Sequence, residues 1–480
     1  MSRKDLASDI WRSYDIMRRD DGTTGILQYM EQVSWMIFLK IFEDLENRFE
    51  ANARLENKEY DRIIKNEFRW SHWTKKEAKE NEIIIFVDQK LFPYLRNLRG
   101  IGLRDTISSI FNEIKGNQMK SAFNFKDVVQ IINEIDFNDE QDSHTLSKVY
   151  EESLLKLGRE GGIAGEFYTP RPIVQIMVKM VEPRIGESVF DPFCGSCGFI
   201  VESFKRMKQS KELDVRDYEI LQTKTFFGQE KKPLAHLMGV MNCIVHGLIS
   251  PNIKRKNTLE DNNRNVPASE RHTIILTNPP FGGTENKQIQ QNFVTQVQST
   301  ELLALQYVMK HLEINGRCGI VVPEGILFRT DLYAKVKEEL LAEFNLHTVI
   351  SLPVGVFANV SAHGQGPKTN LLFFDRTGPT KDVWYYELLP EAKKTYSRAN
   401  PINHEDLKDC FEKWKKREIS DKSWLVPAKA IIDKNYDMSA KNPHRKDDLQ
   451  HRAPAELVAD VLEKEKEIQE ILEEIQERLA

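Results

Sequence analysis

Cysteine is scarce in this chain. Five occur in 480 residues, an odd number, which argues against a disulfide framework. Long apolar runs are missing: no stretch approaches the ~18 residues that span a bilayer, so no membrane association is expected. A basic excess is missing too. The formal net charge is −5, whereas a protein that grips DNA alone over a long footprint carries surplus Lys and Arg. If the chain acts on nucleic acid, a partner has to supply much of the grip. No G-x-x-x-x-G-K-[ST] phosphate loop occurs, and there is no internal repeat or low-complexity segment. The opening stretch MSRKDLASDIWRSYD is polar and charged, unlike a secretory signal, and a cytoplasmic protein is the expectation.

What is present suits a globular protein. The chain is 40% hydrophobic and 29% charged, and its length allows two to four domains at roughly 150 residues each. Residues 1–142 read as a helical domain. In ILQYMEQVSWMIFLKIFEDLENRF, residues 26–49, apolar side chains recur at helical spacing: Leu27, Met30, Val33, Ile37, Phe38, Ile41, Leu45 and Phe49. The run IIIFV, residues 83–87, leaves strand and helix open. Thr145 to Leu157 reads as a helix stopped at Gly158.

Over residues 143–380 the pattern changes to short apolar runs alternating with helical stretches. SVFD (188–191), TFFGQE (225–230), TIILTN (273–278), CGIVVP (318–323), HTVISLP (347–353) and NLLFFD (370–375) read as buried strands. FIVESFKRM (199–207) and LALQYVMKHL (303–312) read as helices between them. This alternation implies an α/β domain, a mostly parallel sheet covered on both faces. Ligands on such sheets bind beyond the carboxyl ends of the strands. Residues 381–452 show no clear period and read as an appended region. Residues 453–480 read as a terminal helix whose Leu457, Val461, Ile468, Leu472, Ile475 and Leu479 form a stripe near 3.5 spacing. That helix either packs on its own chain or docks to a partner.

The stretch FDPFCGSCGF, residues 190–199, carries Cys194-x-x-Cys197. A redox pair needs a helix N-terminus to acidify the first thiol, which is physically possible here. Zinc needs two further ligands, and no second Cys pair or suitable His pair is nearby, so no metal is expected. The context points elsewhere. SVFD ends a strand, FIVESFKRM begins a helix, and a glycine turn lies between. Strand, acidic residue, glycine turn and helix together open a nucleotide pocket, because small residues let the backbone approach a ligand and the helix start offers N–H groups. The alternative is a turn that only reverses the chain.

A second feature decides between these. Residues 278–281 read Asn-Pro-Pro-Phe, directly after the buried run TIILT. Asn-Pro-Pro-aromatic downstream of a DPFCGSCGF-type loop resembles the S-adenosylmethionine-dependent amino-methyltransferases that act on adenine N6. GEFYTPRPIVQIMVKMVEP, residues 165–183, is similar to the segment before the cofactor loop in the modification (M, HsdM-like) subunits of type I restriction-modification systems. The order FYTP, cofactor loop, NPPF is that subfamily's order. The helical start and the terminal helix fit it as well, so the resemblance covers nearly the whole chain. It implies a Rossmann-like methyltransferase core with an N-terminal all-α domain and a C-terminal helix.

The resemblance also implies roles. Asn278 and the Pro279 carbonyl would accept hydrogens from the adenine amine, turning its lone pair toward the methyl group; Pro280 would help Pro279 stiffen the loop. Phe281 would stack on a base flipped out of the duplex, with Phe357, in LPVGVFANV, as a second aromatic wall. For the cofactor, Asp191 would sit near the methionine part or an ordered water, Gly195, Ser196 and Cys197 would line the loop, and Glu230 would accept from the ribose hydroxyls. Cys197 stands where relatives have a small residue and reads as inert packing. Glu230 lies further from the glycine loop than the usual ~20 residues, which calls for a helical insertion around residues 208–224. Glu166, Phe167, Tyr168, Thr169, Pro170 and Arg171 would form part of the cofactor pocket, with Thr169 an N-cap and Pro170 the first helical residue. Asn257 occupies a position often acidic in relatives, near the adenine end of the cofactor. Methylation at cytosine C5 uses a cysteine, usually after a proline; no Pro-Cys pair occurs here.

The reading is therefore a site-specific DNA adenine-N6 methyltransferase using S-adenosylmethionine, the modification subunit of a type I complex. The expected partners are DNA, a specificity (S) subunit, a restriction (R) motor-nuclease subunit and a second copy of the chain. A methyltransferase of RNA or protein glutamine reuses the same tetrapeptide and is one alternative; a non-catalytic scaffold for the specificity subunit is another. The basic runs IKRK (253–256) and KWKKR (413–417) are either phosphate contacts or solvated faces.

Overall fold

A computed structural model describes residues 6–75, 82–100, 102–135, 169–210, 212–358, 366–389, 395–397 and 399–444, with scattered positions between 458 and 469. The helix expected over 145–157 lies outside the described residues, as do Glu166, Phe167 and Tyr168. Of the terminal stripe only Ile468 is described, and it is exposed.

The first region is all helix. Its centre is the long helix Ile26–Leu55. The stripe expected to face the core does so, except that Leu27 is exposed and Phe49 half-buried. The other faces are buried as well, through Trp35, Met36, Leu39 and Phe42, because neighbouring helices surround this one. Gln32, fully buried there, donates to the Gly116 carbonyl and accepts from Trp35 Nε1, so its polar groups are satisfied inside the core. IIIFV resolves as helix: Glu82–Phe86 runs into a π-helical turn, Val87–Leu91. Ile83 and Val87 reach the core, and burial on one face overrides the β-preference of a β-branched run.

The second region is a nine-stranded sheet in the order β3-β2-β1-β4-β5-β7-β6-β8-β9. The six expected runs supply β1 (Val189–Asp191), β2 (Phe226–Glu230), β4 (His272–Thr277), β5 (Leu312–Pro323), β6 (Asn345–Ser351) and β7 (Thr369–Asp375). The basic run contributes β3 (Asn252–Arg255) at one edge, where charged side chains discourage further strand pairing. Residues without a clear period supply β8 (Asp382–Glu387) and β9 (Ser423–Pro427), which extend the opposite edge of the same sheet. Five of the pairings are parallel; β7 runs antiparallel to both β5 and β6, and β9 to β8. Apolar clusters cover both faces of the sheet. The helix Val215–Thr223, held by an Asp214–Asp217 capping box, fills the expected insertion before β2.

Chain order β1, β2, β3 runs one way from β1, and β4 then returns to its other side. The crevice beyond the ends of β1 and β4 is therefore the topological switch point where such sheets bind ligands. The helix Pro233–Val245, which follows β2, ties the two regions together. Leu237, Met238, Met241 and Ile244 belong to the core of the helical region, and His236 bridges Glu113 (3.1 Å) and the Ile253 carbonyl (3.2 Å). Among the described residues no helix is long and apolar enough to cross a membrane.

Candidate active site

Asp191 ends β1 and is buried. Its Oδ1 accepts from Thr277 Oγ1 at 2.7 Å, the last residue of β4, and from the Phe193 amide at 3.1 Å. Burial pushes its carboxyl up to about 7 despite these bonds, with the nearby Glu230 charge adding to the rise. The glycine loop that follows is tightly determined. Gly195 (φ +48°) and Cys197 (φ +61°) are left-handed; the Cys194 amide donates to the Gln229 carbonyl, and Asn242 Nδ2 donates to the Ser196 carbonyl at 2.8 Å. Gly239 makes room from below: a Cβ there would stand 2.7 Å from both Cys197 Sγ and the Gly195 carbonyl.

Neither thiol is poised for redox work. Cys194 and Cys197 are free and buried. Both are held well above the ordinary thiol value, Cys194 chiefly by burial, so the helix N-terminus does not acidify them. Cys197 packs in the core.

Glu230 ends β2. One carboxylate oxygen accepts from the Gly195 amide (3.0 Å) and the other from the Lys232 amide (2.7 Å). Burial raises its carboxyl and these backbone bonds oppose the rise. Each oxygen retains a further lone pair. Glu230 lines a cavity of about 200 Å³ whose other walls include Phe193, Lys256, Asn257, Pro280 and Phe281. The structure brings Glu230, Asn257, Pro280 and Phe281 around one space. Asn257 Nδ2 donates to Glu260 at 3.0 Å. Asp191, Gly195, Ser196 and Cys197 are not among the residues lining this cavity. Arg171 opens instead onto a separate surface groove with Gln175, Glu202 and Phe411.

Asn278 follows β4. Its Nδ2 donates to Thr169 Oγ1 at 2.9 Å, while its Oδ1 is buried and has no hydrogen-bond partner among the described residues. A buried amide oxygen without a partner costs free energy. Thr169 was expected as N-cap and Pro170 as first helical residue. The structure shifts both: Pro170 is the N-cap of the helix Arg171–Val181, with Pro172 in its first turn, and the Thr169 hydroxyl is engaged with Asn278. Phe281 and Phe357 meet edge to face, 5.7 Å between centroids at 88°. Phe357 is 1% exposed, so it braces Phe281 rather than forming a parallel wall across a base-sized gap.

The basic runs are bound to this chain's own groups. Arg255 lies 3.9 Å from Glu113 and Lys256 pairs with Asp261; Lys413 pairs with Asp409 at 2.8 Å and Lys415 sits over Phe411. Three contributors were missed in the sequence: Thr277, Gly239 and Asn242. Their readable signal is slight. With His236, Gly239 and Asn242 interrupt the mostly apolar helix PLAHLMGVMNCIV.

Residues 141–452 match the family model described as N-6 DNA Methylase, and residues 6–132 match the HsdM N-terminal domain. The chain is 35% identical to the Type I restriction enzyme EcoEI methylase subunit of Escherichia coli, over 99% of this chain and 97% of that one. A solved chain from a study of complex assembly and conformational transition of the type I R-M system is 48% identical, with a TM-score of 0.78, covering 100% of this chain and 99% of its own. The crystal structure of a modification subunit from Vibrio vulnificus YJ016 is 38% identical, with a TM-score of 0.86, covering 93% and 98%.

Proposed function

The chain belongs to the N-6 DNA methylase family, and from that membership we propose that it is the modification subunit of a type I restriction-modification complex, methylating N6 of adenine in DNA. It works with a specificity subunit that chooses the sequence and a restriction subunit that carries the motor and nuclease. The net charge of −5 suits a subunit that shares its grip on DNA. A second copy of the chain in the complex completes the proposal.

The amine of adenine is a poor nucleophile because its lone pair is delocalised into the ring. S-adenosylmethionine, when bound, supplies a methyl group on a sulfonium. Asn278 Oδ1 and the Pro279 carbonyl accept the two amine hydrogens, which draws the nitrogen from planar toward tetrahedral and localises its lone pair for attack on the methyl carbon, and the two prolines hold these acceptors rigid. Phe281 offers a stacking surface for a flipped base. Glu230 uses its remaining lone pairs for the ribose hydroxyls, and the glycine loop holds it in place through the Gly195 amide. The observation that carries this reading is the open, buried Asn278 Oδ1 beside Pro279, on the same loop whose Pro280 and Phe281 line the cavity with Glu230.

The test is tritium transfer from S-adenosylmethionine to plasmid DNA, by the chain alone and with the specificity protein encoded beside it. Label on adenine N6 that needs the partner and disappears in Asn278→Ala is the expected result. Cofactor binding with no label on DNA under either condition would overturn the reading; label on RNA or on protein glutamine would replace it, and no transfer to any substrate would leave a scaffold.

A further inference from the structure

We infer that Thr169 is a positioning residue for methyl transfer: its hydroxyl turns the Asn278 side-chain amide so that oxygen, and not nitrogen, faces the adenine amine. This rests on the function proposed above.

An amide has two nearly isosteric ends, and the torsion that exchanges them is soft. The two ends have opposite effects on the reaction. Oxygen toward the amine accepts a hydrogen and frees the lone pair. The NH2 end toward the amine would instead donate to that lone pair and tie it up. Asn278 therefore needs a partner that holds its nitrogen on the far side.

Thr169 Oγ1 is that partner. It accepts from Asn278 Nδ2 at 2.9 Å, and Oδ1 is left buried and open. In the observed arrangement Nδ2 donates to Oγ1 and Oδ1 is left for the amine; the flipped amide, with the hydroxyl donating to Oδ1, would set NH2 against the amine and leave the amine hydrogen without this acceptor. Both side chains stand on restrained backbone. Thr169 precedes Pro170 and Asn278 precedes Pro279, and a residue before proline is confined to extended conformations. Pro170 is further fixed as the cap of the helix Arg171–Val181, its carbonyl accepting from the Ile173 (2.9 Å) and Val174 (3.1 Å) amides. The bond spans two segments 109 residues apart, so no local motif announces it.

The test uses the chain assembled with its specificity partner. Thr169→Val keeps the shape and removes the acceptor; Thr169→Ser keeps the acceptor. The Val variant is expected to lower kcat at saturating cofactor and DNA by about 10- to 100-fold, the effect of leaving one buried donor unpaired. Cofactor affinity by calorimetry and the thermal midpoint stay near the parent values, and the Ser variant restores most of the turnover. In an Asn278→Ala background Thr169→Val causes no further loss, because it acts only through Asn278. Three results would overturn the inference: unchanged kcat in the Val variant, an equal loss in the Ser variant, or a loss that appears as weaker cofactor binding with kcat intact, which would make Thr169 a cofactor contact. Should the Val variant fold poorly, Thr169→Ala and Thr169→Ser carry the same comparison. If the parent complex labels adenine and Thr169→Val labels it at the same rate, this inference alone fails; if the parent labels nothing, the proposed function fails first.

Discussion

The two sides of the switch point are built in opposite ways. On the β1–β2 side each carboxylate is held by two donors of this chain: Asp191 by Thr277 and the Phe193 amide, Glu230 by the Gly195 and Lys232 amides. On the β4 side, among the described residues, the Asn278 side chain has one bond, to Thr169, and its Oδ1 has none. A surface that has only to bind can be fixed in position before the ligand arrives, which limits the entropy lost on binding. A group that must act on the transition state does better left open, since an acceptor already satisfied would have to be freed during the reaction. Under the proposed function, the contrast separates a binding half from a reacting half.

Asn278→Ala tests the contrast most severely. Transfer is expected to fall by on the order of 100- to 1,000-fold. The thermal midpoint should hardly move, because the change removes a buried open acceptor, worth ~1–3 kcal/mol of destabilisation, along with the bond to Thr169. Single-turnover kinetics and a melt read both; a variant that melts far lower would mean that Asn278 holds the fold together and is not a group left open for the reaction.

The binding half should show its tension as pH dependence. The Asp191 carboxyl is raised from 3.8 to about 7, so the folded state holds this proton more tightly than the unfolded chain. The stability that Asp191 contributes is full below its unfolded value and is lost as pH rises through about 7. At ~1.4 kcal/mol per unit the span is on the order of 4 kcal/mol. His272, His311 and His347 are lowered to about 4 by burial and give the opposite trend over the acid side, so the comparison is between parent and Asp191→Asn. Urea unfolding of the cofactor-free chain should show the parent losing stability relative to this variant between pH 5 and pH 8. Parallel curves would remove Asp191 from the account.

Thr277→Val sharpens the comparison on a smaller scale. It removes one of two bonds to a buried carboxyl, and a loss of ~1–2 kcal/mol in chemical denaturation is expected, with cofactor affinity down several-fold. No change in either would mean that Thr277 does not hold Asp191. The smallest effect is expected at Cys194 and Cys197. Their buried thiols should react with a disulfide reagent only after unfolding; rapid labelling of the folded chain would reopen the redox reading.

Much of this was legible because burial writes itself into sequence. Runs such as TIILT and GIVVP, buried on both faces, read as strands without context, and NPPF follows one of them directly. β8 and the edge strand β9 were hidden: β9 is short and exposed at Leu425, and the buried run of β8, Val383 to Tyr386, stands in a stretch with no clear period. IIIFV stayed open because strand propensity and helical spacing agree over five residues. At the site, the residue types at strand ends were readable, and the bonds between them were not. Thr277 to Asp191 joins residues 86 apart, and Asn242 to Ser196 residues 46 apart. Such pairings follow from strand order, which sequence periodicity does not encode. Phe357 was readable as an aromatic near the site, but its perpendicular, buried packing depends on where the β6 end meets Phe281.

The measurement that tests the division most directly is the rate of methyl transfer to DNA against S-adenosylmethionine concentration, for Glu230→Ala and Asn278→Ala side by side in the assembled complex. Glu230→Ala should need roughly 100-fold more cofactor, as expected for losing charge-assisted hydrogen bonds, and then approach the parent plateau. Asn278→Ala should saturate at the parent concentration with a collapsed plateau. A Glu230→Ala plateau that stays collapsed at any concentration, or an Asn278→Ala rate restored by added cofactor, would contradict the separation of a binding half from a reacting half.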